Sequence, residues 1–161
     1  NLFCKNSVIE MVDLKGQYKK IQSEIDEAIL KVILETGELQ TYDNIRLASW
    51  LAMEAGADFI KTSTGKEGVN ATFPVAFTMV RAIREYMELT GYQIGYKPAG
   101  GISKSKEAVN YLILMKEELG NQWLRPALFR FGASSLLGDI ERQLEHQLTG
   151  SYSAEYRHPA S

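Results

Sequence analysis

Three lysines stand where apolar side chains are expected. Lys61 falls in the run DFIKTSTGK (58–66), Lys97 in GYKPAGGI (95–102) and Lys31 in LKVILETGEL (30–39). Burying an ammonium ion is costly, and a lysine in such a place is driven towards its neutral amine. A neutral amine attacks carbonyl carbon and forms a Schiff base, and a second cation beside it favours the neutral form further. Two such lysines at successive strand ends, each next to glycine and hydroxyl residues, fit that chemistry. The plain alternative is a pair of solvated rim lysines, and pattern alone leaves both readings open.

The loops that follow suggest a ligand. KPAGGIS (97–103) and FGASSLL (131–137) each run from an apolar segment into a helix through glycine and serine. Backbone N–H groups at such helix starts are ready sites for phosphate. Ordinary helix capping by Ser103, and by Ser134 or Ser135, explains the same residues. Two such loops in succession weigh towards phosphate.

These positions need elements to carry them. Short apolar runs at Leu30–Glu35, Asp58–Thr62, Ile94–Lys97 and Leu128–Phe131 recur every 30 to 36 residues or so, the length of one βα unit. Helical periodicity fills the gaps between them. Asp43 caps a first helix that ends before Gly56. Thr72 caps a second, with Ala76, Met79, Val80, Ile83 and Met87 along one side and Gly91 as its stop. Ser103 or Ser105 starts a third, with Ala108, Tyr111, Leu112, Met115 and Leu119, closed by Gly120. Ser135 starts a fourth, with Leu137, Ile140, Leu144 and Leu148, closed by Gly150. Earlier still, Val8–Val12 reads as a strand and residues from about Gln17 to Ile29 as a helix.

Strands alternating with helices give an α/β fold with a parallel sheet. No G-x-G-x-x-G follows the first strand, which disfavours a dinucleotide fold. The polar residues gather at the C-terminal ends of the strands, as in a barrel. The expectation is a partial (β/α)8 TIM barrel of about four to five βα units. Ile33 and Ile60 are expected on its inner face. Open edges and an uncovered inner face would drive self-association.

Composition narrows the function. The 161 residues carry a formal net charge of −2, with 45 % hydrophobic and 24 % charged residues, so a nucleic-acid partner has no support. No apolar run approaches the ~18 residues of a membrane span. The single Cys4 rules out an internal disulfide and makes the cytoplasm the default setting. Cys4, His146 and His158 make no zinc cluster. The chain starts at Asn1, with no signal peptide visible, and reads as a processed or truncated product.

Together LKVILETGEL, GADFIKTSTGK (56–66), VNATFP (69–74), GYKPAGGI and FRFGASSLL (129–137) closely resemble 2-deoxy-D-ribose-5-phosphate aldolase, in order and at family spacing from about Leu30 to Gly150. The tail TGSYSAEYRHPAS resembles that of animal members. The resemblance implies a class I aldolase on a (β/α)8 barrel that joins acetaldehyde and glyceraldehyde 3-phosphate, without metal or organic cofactor. It implies that Lys61 is the Schiff-base lysine, Lys97 the cation that keeps it deprotonated, and Lys31 a polar contact in the pocket. Gly65, Lys66, Gly100, Gly101, Gly132, Ser134 and Ser135 match phosphate-side positions.

The sequence also departs from the family. Its four units match the last four strands, and the first half of the barrel is almost absent. Residues 1–29 are atypical, ahead of the units at 30–150 and a tail at 151–161. VIEMV (8–12) fits a shortened fourth strand, which would put Glu10 near the family's proton-shuttling aspartate. EMVDLKGQYKKIQSEIDEAI (10–29) also resembles the start of sugar aminotransferases. Ser103 stands where bacterial members often carry arginine, with Lys104 beside it. The expectation is therefore an aldolase chain. The alternative is an inactive half-barrel scaffold that self-associates, and the expected partners are a phosphorylated sugar and further copies of the chain.

Overall fold

In a computed structural model of the chain, residues 28–154 and Arg157 are described. The expected strand at Val8–Val12, its Glu10 and the helix from Gln17 fall outside them. The chain divides into two compact units, Asn1–Leu30 and Lys31–Ser161. The second runs β1 (Lys31–Ile33), α1 (Thr36–Leu39), α2 (Tyr42–Glu54), β2 (Phe59–Lys61), α3 (Phe73–Thr90), β3 (Gly95–Lys97), α4 (Ser105–Leu119), a 3-10 turn (Asn121–Trp123) and α5 (Leu136–Thr149).

The three strands form one parallel sheet in the order β1-β2-β3. The expected fourth strand runs parallel to β3 but pairs discontinuously, through bridges Tyr96↔Phe129 and Ala99↔Gly132. Its backbone bonds explain the gap. Tyr96 N–H donates to Leu128 O (2.9 Å), Arg130 N–H to Tyr96 O (3.2 Å), Gly132 N–H to Pro98 O (2.8 Å) and Gly100 N–H to Gly132 O (3.3 Å). The missing rung belongs to Pro98, which has no N–H to give to Arg130.

Register divides the side chains between two faces. Val32, Ile60 and Tyr96 lie side by side and pack with the helices, in a core that includes Met79, Ile83, Met115 and Trp123. Trp123 fixes its indole there by donating Nε1–H to Ile94 O at 3.0 Å. Lys31, Phe59 and Gly95 make one row of the opposite face, and Ile33, Lys61 and Lys97 the next. The expectation that Ile60 shares the inner face with Ile33 is therefore corrected. Alternation with inward Lys61 turns Ile60 towards the helices, where it is fully buried, while Ile33 is 43 % exposed.

The helix ends follow local chemistry. Thr41, not Asp43, caps α2, its Oγ1 accepting from Asn44 N–H at 3.2 Å, and Asp43 sits inside the first turn. Thr72 caps α3 and left-handed Gly91 ends it, as expected. At α4 the cap position is Lys104, and Glu107 reaches back to accept from the N–H groups of Ser103 and Lys104, both at 3.3 Å. Ser135 precedes α5. That helix buries Leu136, while Leu137, Leu144 and Leu148 are more than half exposed.

Candidate active site

The loops after β2, β3 and the fourth segment enclose a cleft of about 590 Å³ at the C-terminal end of the sheet. Eight of the ten residues singled out from sequence line it: Lys61, Gly65, Lys66, Gly100, Gly101, Gly132, Ser134 and Ser135. Lys97 lies beside Lys61 in register, and Lys31 one row further from the cleft. Thr64 and Ser103 also line it.

The lysines stand in a cationic cluster. Burial first, and then the charges of Lys31, Lys61 and Arg130, hold the Lys97 ammonium below the ordinary lysine range. Lys97 is the half-buried lysine that takes Lys61 on one side and the segment bearing Arg130 on the other. Gly132 stands against its side chain: a β-carbon there would lie 3.1 Å from Lys97 Cε.

The β2 loop is tied to the β3 loop. The Thr62 hydroxyl donates to Ala99 O (3.1 Å) and accepts from Ala99 N–H (2.9 Å). Ser63 Oγ lies within donating distance of Ala99 O (2.7 Å) and Asn70 Oδ1 (2.8 Å). Asn70 in turn donates Nδ2–H to Glu67 O (2.6 Å). Gly100, at φ +88°, is the close approach that admits Asn70, since a β-carbon would come within 2.5 Å of Asn70 Cβ. From the β1 loop Glu35, itself left-handed at φ 50°, accepts the Thr64 N–H at 3.1 Å.

The two glycine–serine loops are joined behind the cleft. Asp139, in the first turn of α5, accepts from Ser105 N–H (2.7 Å) and Ser105 Oγ–H (2.8 Å) at the start of α4. Lys104 Nζ adds a contact at 3.4 Å. These bonds hold the Asp139 carboxyl below the usual carboxylate range, the Ser105 backbone bond most of all. Asn70, Glu35, Arg130 and Asp139 escaped the sequence reading because their roles come from contacts made across elements.

Parallel βα units with lysines at the strand ends define a partial barrel of the lysine-aldolase kind. The chain belongs to the DeoC/LacD family aldolases, whose sequence model matches residues 13–139. That match opens inside the segment 1–29. Human deoxyribose-phosphate aldolase is 56 % identical over 155 residues, covering 92 % of this chain and 49 % of the human protein. The mouse deoxyribose-phosphate aldolase gives the same figures. A crystal structure from Toxoplasma gondii, in apo form and provisionally named deoxyribose-phosphate aldolase, superposes with a TM-score of 0.67 at 33 % identity, covering 78 % of this chain and 48 % of that one. The chain spans about half the length of the curated relatives it matches.

Proposed function

We propose that this chain carries the Schiff-base half of a class I aldolase acting on 2-deoxy-D-ribose 5-phosphate, which it splits into acetaldehyde and D-glyceraldehyde 3-phosphate. The observation that carries this reading is the pairing of Lys61, which lines the cleft, with Lys97 in register beside it. Lys61 lines the cleft and is the nucleophile. Its amine adds to the aldehyde carbon, water leaves, and the resulting iminium draws electrons from the bond that breaks. Lys97, beside Lys61 in register, is the second cation of the pair. The sugar phosphate lies on the N–H groups of Gly101 and of Gly132 to Ser135, with Lys66 at the rim and Lys31 deeper on the inner face. The scheme uses neither metal nor organic cofactor.

Among the described residues β1 pairs on one side only, and with the exposed leucines of α5 this supports self-association. We place a second copy of the chain against them, so that two four-unit halves build one barrel. We take the setting to be the cytoplasm, in keeping with a single cysteine; among the described residues no helix is long and apolar enough to cross a membrane.

Acetaldehyde with borohydride tests the chemistry. A reduced two-carbon adduct mapped by mass to Lys61, and its loss in Lys61→Leu at every pH, is the expected result. A folded chain that gains no adduct would be the inactive scaffold instead, and this function would be wrong.

A further inference from the structure

Ser63 and Asn70 meet across the neck of the loop that follows β2. Ser63 Oγ lies 2.8 Å from Asn70 Oδ1, and Asn70 donates Nδ2–H to Glu67 O at 2.6 Å. Residues 64–69, between the two, are all exposed. They have no core to hold them, so polar contacts must set the shape of the loop. Ser63 is fully buried and has a single hydroxyl proton to give. Its other neighbour, Ala99 O, already takes Ala71 N–H and Thr62 Oγ1–H, which favours Asn70 Oδ1 as the acceptor. The Asn70 amide is thereby oriented, with its oxygen towards Ser63 and its nitrogen towards Glu67.

The same side chain seats the turn of the β3 loop. A β-carbon on Gly100 would lie 2.5 Å from Asn70 Cβ, and one on Gly65 would lie 3.7 Å from Gly100 Cα. Ala71 N–H, next along the chain, donates to Ala99 O at 3.2 Å. Gly65, Lys66, Gly100 and Gly101 line the cleft, whereas Asn70 does not. We infer that Asn70 is a positioning residue: it closes the neck of the β2 loop, packs on Gly100, and so fixes the Gly65–Lys66 stretch against the Gly100–Gly101 turn. Its effect falls on the anion affinity of the cleft. Lys61 is held by other means, because it lies in β2 and its carbonyl accepts Leu34 N–H at 3.0 Å. The amine chemistry is therefore independent of Asn70. This role deepens the phosphate placement proposed above and rests on it.

Two measurements on the same chains test it. Inorganic phosphate is titrated in and followed by NMR at the amides of Gly65, Gly101 and Ser134. Adduct formation at Lys61 is timed in parallel with acetaldehyde and borohydride, which need no phosphate. Asn70→Ala keeps the β-carbon that meets Gly100, removes both hydrogen bonds and changes no charge. It should weaken phosphate about tenfold, the scale of one to two lost hydrogen bonds, with the adduct rate unchanged. Ser63→Ala removes the partner instead and should weaken phosphate in the same way. The double variant should lose less than the sum of the two, since the pair acts as a unit. A merely structural role would slow the adduct and weaken phosphate together, and that result overturns the inference. So does wild-type affinity in a folded Asn70→Ala or, should that variant not fold, in Ser63→Ala. A wild-type chain that forms the adduct but binds no phosphate at these amides also overturns it and leaves the Schiff-base chemistry standing. A chain that binds phosphate there yet forms no adduct removes the aldolase reading, while the affinity loss in Asn70→Ala would still support the role of Asn70.

Discussion

A β-carbon placed on Gly132 would lie 3.1 Å from Cε of Lys97 and 2.6 Å from Cβ of Ala99. The glycine that looks from sequence like part of a phosphate loop is therefore also the wall that sets the path of the Lys97 side chain. Gly132→Ala should displace Lys97 and push the β3 loop, costing about 1–3 kcal/mol of stability as overpacking does. Adduct formation at Lys61 should slow even with phosphate-free acetaldehyde, because the defect lies at the lysines. Comparing acetaldehyde trapping with phosphate binding separates the two: a variant that loses only phosphate affinity would contradict the packing role.

Thr62 is fully buried and makes a reciprocal pair of hydrogen bonds with the Ala99 backbone. Thr62→Val keeps the shape and removes both bonds. Ala99 O retains Ala71 N–H at 3.2 Å and Ser63 Oγ at 2.7 Å, but the Ala99 N–H is left without a partner. A loss of about 1–3 kcal/mol is expected from that orphaned donor. Urea unfolding of Thr62→Val and Thr62→Ser measures it; the serine variant should recover much of the loss, and equal losses in both would point to packing instead.

The exposed apolar stripe on α5 makes a separate prediction. Leu137, Leu144 and Leu148 are 53 %, 56 % and 87 % exposed, on a helix that buries Leu136. If a second copy covers this face, Leu144→Glu should shift the chain towards monomer in light scattering at micromolar concentration, with little change in secondary structure. A wild-type chain already monomeric under those conditions would remove the proposed assembly.

The sequence showed most of what repeats and little of what reaches across. Short apolar runs at the spacing of βα units and helical stripes placed β1, β2, β3 and four helices within a few residues of their observed positions. The lysine pair followed because strand ends in successive βα units fall at one level. Two errors share a cause: a local signal was read without its geometry. Asp43 carries the stronger capping charge, yet Thr41 has the extended backbone a cap requires, at φ −117° and ψ 150°. The short helix α1, entered through left-handed Glu35, has no signal in Glu-Thr-Gly beyond that of a loop. Arg130 and Asn70 acquire their partners only when distant segments meet, so no spacing rule could mark them.

Asp139 closes the account of the loops, because it ties the start of α5 to the start of α4. Its carboxylate accepts two bonds from Ser105 and a weaker contact from Lys104, and its side chain is 12 % exposed. Its proton affinity is lower in the folded chain than the ordinary aspartate value of about 3.9. A carboxyl depressed on folding stabilises the native state once the pH exceeds the unfolded value, and that contribution is lost as the pH falls through the folded one. Asp139→Asn keeps one acceptor but removes the charge, so it should cost about 1–2 kcal/mol near neutral pH. The stability gap between wild type and variant should then narrow below about pH 4, where the carboxyl of the unfolded chain begins to take up a proton. The same substitution should loosen the Ser134 and Ser135 loop relative to Ser103 and weaken the proposed phosphate binding, since residues of both loops line one cleft. Urea unfolding of both chains at neutral and acid pH decides the electrostatic part. A gap that stays constant across that range would show that shape, and not charge, joins the two helices.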